Sequence, residues 1–112
     1  RACLPLAGQA VPEAAFPADI AGLDRRLAWA DGILAALPPA AFLGAASRVI
    51  RHRAGFADLE QTGADYLHLF ALPNLWFHLA QAHAILRAQG VAVGKADFDG
   101  LHQYPTGFSW TG

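Results

Sequence analysis

Three hydrogen-bonding side chains set in an apolar run are the residues best placed to do chemistry. Asn74, His78 and Gln81 lie among Leu, Phe and Trp residues. On a helix advancing about 100° per residue they fall within about 60° of one another. Leu67, Phe70 and Ile85 share that stripe. A buried polar group without a partner costs about 1–3 kcal/mol, so an inward-facing stripe of this kind persists only if it is satisfied or serves a ligand. The residues alone leave three readings open. The side chains satisfy one another, the carbonyl freed at Pro73 and buried water; or they line a polar pocket inside a bundle, with His78 as ligand or proton carrier; or they contact a partner chain. The expectation is that the stripe looks inward.

The other histidines do not extend the stripe. His68 and His83 fall on a different arc, with Asp65, Trp76 and Arg87, and that arc reads as the rim. No His-x-x-x-His pair and no His-Glu-x-x-His occurs, whereas a zinc site needs three or four converging ligands. Cys3 is the one cysteine, which excludes an internal disulfide and a cysteine-based zinc cluster. No nucleophile elbow, phosphate loop or dinucleotide fingerprint is present, so no catalytic residue can be named. The run Arg48, Arg51, His52, Arg53 reads either as an anion site or as a charged hairpin edge guarded against edge pairing.

The elements that must position these residues are set by spacing. Residues 1–17, broken by Pro5, Gly8, Pro12 and Pro17, read as a helix stub and a loop. Over 18–37, Ile20, Leu23, Leu27, Ala30, Leu34 and Leu37 repeat at 3, 4, 3, 4, 3, an a/d helical seam that Pro38-Pro39 ends. Pro39 to Ala46 reads as a short helical turn with Phe42 and Leu43 as an apolar plug. Residues 47–62 read as a small hairpin turning at Ala54-Gly55. Residues 63–89 read as one long helix. Thr62 is its N-cap with Asp65 in the first turn, Arg87 lies in the last turn and Gly90 comes next at C′. Pro73 should kink it near Leu69 to Pro73. Because it is apolar nearly all round, it should be wrapped on most sides. Residues 91–112, with Phe98, Tyr104, Phe108 and Trp110, read as an irregular tail over the bundle. All of this belongs to one partial domain, 1–112.

Composition narrows the function classes. In 112 residues, 54% are hydrophobic and 15% charged, which argues against a disordered chain. Eight Lys+Arg against nine Asp+Glu leave a net charge of −1, giving no footprint for nucleic acid and no polybasic membrane patch. The longest apolar stretch, Leu69 to Phe77, is nine residues and contains Pro73 and Asn74; a spanning helix needs about 20. With no signal peptide evident, the expected location is cytoplasmic, away from membranes. The chain starts at Arg1 and has no methionine, so it is expected to be processed, excised or N-terminally incomplete.

The run Phe70-Ala71-Leu72-Pro73-Asn74-Leu75-Trp76-Phe77-His78, continuing through Ala82, Ile85-Leu86-Arg87, Gly90-Val91 and Gly94-Lys95, with the lead-in Thr62-Gly63-x-Asp65-Tyr66, resembles an uncharacterised bacterial domain-of-unknown-function branch of the DinB-like (YfiT-like) superfamily. The resemblance covers roughly residues 18 to 100. It implies a mainly α fold, a DinB-like four-helix bundle, often dimeric, to which this chain contributes the C-terminal half: two long helices plus a small hairpin. Many members hold a divalent metal (nickel or zinc) with three histidines, one on the second helix and an H-x-x-x-H pair on the last. Here that pair falls at Asn74 and His78, so its first histidine is an asparagine, a poor transition-metal ligand, and the third ligand would lie before Arg1. His78 is left as a lone metal candidate, while Asn74, His78, Gln81 and Tyr66 are the ligand-binding candidates. The expected function is a small-ligand-binding or structural bundle with a buried polar cluster at Asn74, His78 and Gln81. The alternative is a divalent-metal, thiol-dependent transferase. Expected partners are a second copy of the chain or the missing N-terminal helices of the same domain.

Overall fold

The chain opens on a single helical turn, α1 (Cys3–Leu6), with a proline-punctuated loop after it. These features come from a computed structural model that describes residues 1–108. Helix α2 runs Ile20–Ala35, inside the 18–37 that the seam predicts. Its start is fixed by Asp19, whose carboxylate accepts from the Gly22 amide at 2.6 Å and so satisfies one of the donors that a helix start leaves free. Two 3₁₀ turns, Pro39–Phe42 and Ala45–Ser47, replace the single turn expected there. Phe42 and Leu43 are exposed and plug nothing.

Strands β1 (Val49–Ala54) and β2 (Ala57–Thr62) pair antiparallel from Val49↔Thr62 to Ala54↔Ala57. The reversal falls on Gly55 and Phe56, and Gly55 takes φ +61°, the left-handed backbone that tight hairpin loops ask of glycine. Alternation then sorts the strand by face. Ile50 and His52 point one way with Gln61, and Arg51 and Arg53 point the other.

Thr62 caps the helical run that leaves the hairpin. Its Oγ1 accepts from the Asp65 amide at 3.1 Å and donates to the Asp65 carboxylate at 2.9 Å. The run passes through three geometries: α3 (Gly63–Asp65), a π-helical segment Tyr66–Ala71, and α4 (Leu72–Ala88). Pro73 accounts for the middle one. It has no N–H to give the carbonyl one turn back, and its ring crowds that carbonyl; a wider π turn relieves both constraints. The kink expected near Leu69 to Pro73 is thus a π segment. A second departure is α5 (Lys95–Asp99), which corrects the irregular reading of 91–112. The Gly94 amide donates to the Asp97 carboxylate at 2.7 Å at its start, and Gly100 closes it at φ +68°. Trp110 lies outside the described residues.

The architecture is mainly α with one two-stranded sheet. It divides into two compact units, Arg1–Asn74 and a second beginning at Leu75. The first unit has a core of Leu6, Ile50, Tyr66 and Ala71, against which Ala2, Ala45, Leu67 and Phe70 pack. Gly63 lets the chain come close, since a Cβ there would collide with the Ala45 carbonyl. Within the same unit, the α2 seam residues Ile20, Leu23, Leu27 and Leu34 are exposed, Ile20 to 77%. In the second unit, Phe98 of α5 lies against Trp76 and His83, with ring centroids 6.3 and 5.4 Å apart. No single helix among the described residues is long and apolar enough to cross a membrane.

Candidate functional site

The sequence places chemistry at four positions, and the structure puts them in two different settings. Tyr66 is buried, 2% exposed, because the π segment turns it toward the hairpin. Its hydroxyl donates to the Arg1 carbonyl at 3.0 Å. Burial, with the neighbouring Cys3 sulfur adding a smaller electrostatic push, holds its phenol above the ordinary tyrosine value. The phenol is therefore neutral and works as a donor that ties down the start of the chain.

Asn74, His78 and Gln81 are carried by α4 and are all exposed. Among the described residues none has a side-chain hydrogen bond, and the one ring-to-ring contact of His78 is edge-on to Phe77 at 5.3 Å. The expectation of a buried polar cluster is corrected at this point. The physical reason is that α4 buries none of its residues. Its apolar side chains, including Leu75, Trp76, Phe77 and Ile85, are exposed as well, so the polar stripe has no cover to be buried under.

A more tightly knit cluster lies where sequence reasoning saw only a basic run. The four side chains of that run separate. The Arg48 guanidinium donates to the backbone carbonyl of Leu6, and more loosely to those of Ala41 and Leu43 at 3.4–3.5 Å, which ties α1 to the 3₁₀ turns. Arg51 pairs with Glu60 at 2.7 Å and Arg53 with Asp58 at 3.7 Å, across the solvated face of the hairpin. His52 points inward. Its Nε2 lies 2.7 Å from Gln61 Oε1, its ring centroid lies 5.0 Å from Tyr66 and 4.3 Å from Phe70, and its Nδ1 is buried without a partner among the described residues. Period-2 alternation was the signal that could have found it: 50 and 52 face the core when 51 and 53 face water.

His83 also has a defined role, since its Nε2 is 2.9 Å from the Gly94 carbonyl and fixes the turn leading to α5. Asp99 accepts from the backbone N–H groups of His102 and Leu101, and these, in that order, hold its carboxyl below the usual range.

A metal finds little purchase on this chain. Among the described residues no three His, Cys, Asp or Glu side chains converge to hold one. His78 has an amide, Asn74, one turn before it, and a single imidazole beside an amide is a poor set for nickel or zinc. The described residues do not by themselves fit such a centre.

The mainly α fold agrees with what known proteins share with the chain. Residues 1–99 match a domain of unknown function, DUF1993, and the chain belongs to that family. It is also DinB-like: a DinB family member protein from Shewanella denitrificans, known from its crystal structure, is similar to it with a TM-score of 0.76 and 32% sequence identity, over 93% of this chain and 60% of that one. The chain thus spans 60% of that relative's length. No curated protein matches it.

Proposed function

We propose that this chain supplies the C-terminal half of a four-helix bundle, and that the bundle binds a small ligand through the Asn74, His78 and Gln81 stripe of α4, with no chemistry performed on it. The observation that carries this reading is the state of α4. It is apolar nearly all round, it buries nothing within the chain, and it holds three polar side chains with no hydrogen bonds among the described residues. A helix of that composition is stable when other surfaces cover it. The cover is further helices of the same domain, for which a relative with two-fifths of its length beyond this chain gives room, or a second copy. Once covered, the stripe becomes a patch of donors and acceptors in an apolar wall, the arrangement that small-ligand pockets use.

Light scattering and thermal melting of the 112-residue chain, with elemental analysis of the same sample, test the proposal. Self-association without stoichiometric metal is expected. A monomer that melts cooperatively overturns the coverage. Stoichiometric metal that is lost in His78→Ala replaces the ligand-binding reading with that of a metal-dependent transferase.

A further inference from the structure

We draw no further inference here: the strongest candidate, the exposed apolar seam along α2 formed by Ile20, Leu23, Leu27 and Leu34, carries nothing because nothing in the structure shows what covers it.

Discussion

The hairpin core and helix α4 are made from the same kinds of residue and end in opposite states. Leu6, Ile50, Tyr66 and Ala71 come from three separate stretches of chain, and each is nearly closed to solvent. Helix α4 has a denser supply of Leu, Phe, Trp and Ile, and closes none of them. Hydrophobic composition therefore does not decide burial. The hairpin residues are buried because β1, α1 and the π segment each bring an apolar face to one place, helped by Gly63, which lets Ala45 approach, and by Arg48, which gathers carbonyls from α1 and from the first 3₁₀ turn and the residue after it. Apolar surface is stabilising only where it leaves water.

Substitutions in both regions break or sharpen that contrast. Gly63→Ala should have the largest effect. Its Cβ would meet backbone at Ala45, which cannot swing aside as a side chain would, so we expect a loss of about 3 kcal/mol or more in denaturant melts. A neutral outcome would mean that the close approach is absent in solution.

Next comes a matched pair. Ile50→Ala, at a site 4% exposed, should cost about 3 kcal/mol, whereas Phe77→Ala, at a site 59% exposed, should stay within about 0.5 kcal/mol of the parent in the dilute chain. Equal costs at the two positions would erase the contrast and show that α4 is covered in solution.

Tyr66→Phe removes one donor to the Arg1 carbonyl and should cost about 1 kcal/mol. The same phenol predicts an alkaline limb. Because folding raises its ionisation point, its contribution is complete below the unfolded value of about 10 and is lost as pH climbs from there through the folded value. Melts across that range should fall more steeply for the parent than for Tyr66→Phe; parallel curves would remove Tyr66 as the cause. The smallest effect belongs to Glu60→Ala. Its partner Arg51 is well exposed, so the loss should be under about 1 kcal/mol and should shrink further in salt. A larger, salt-insensitive loss would mean that the outer face of the hairpin is covered.

Local features of the fold were legible in the sequence where a local cause fixes them. Thr62 and Asp65 announce their own cap, Gly55 its reversal, Pro38-Pro39 the stop after α2, and Pro73 a disturbance a few residues upstream. The π geometry of that disturbance was not legible, because a proline also permits a plain bend. Helix α5 was missed because Lys95–Asp99 is too short for periodicity to register, although Gly94, Asp97 and Gly100 mark its two ends. The candidate site was legible as a set of residues and not as an environment. Spacing puts Asn74, His78 and Gln81 near one azimuth of α4, but whether that azimuth is dry depends on what packs on it, and no pattern within the helix encodes that. His52 is hidden for a simpler reason: its neighbours Arg51 and Arg53 are charged, and only the two-residue alternation of a strand separates its face from theirs.

The π segment Tyr66–Ala71 also acts as a phase shifter. Bonding five residues back in place of four takes up roughly one extra residue, and one residue is worth about 100° of rotation. A regular wheel drawn straight through Pro73 puts Leu67 and Phe70 on the same line as Asn74. With the slack taken up before the proline, Leu67 and Phe70, which pack on the hairpin core, and the amide beyond them are released from sharing one bearing. A deletion of a single residue within Tyr66–Ala71 would lock the two bearings together again, so the length of this stretch, more than its composition, sets the bearing of Asn74 relative to Leu67 and Phe70.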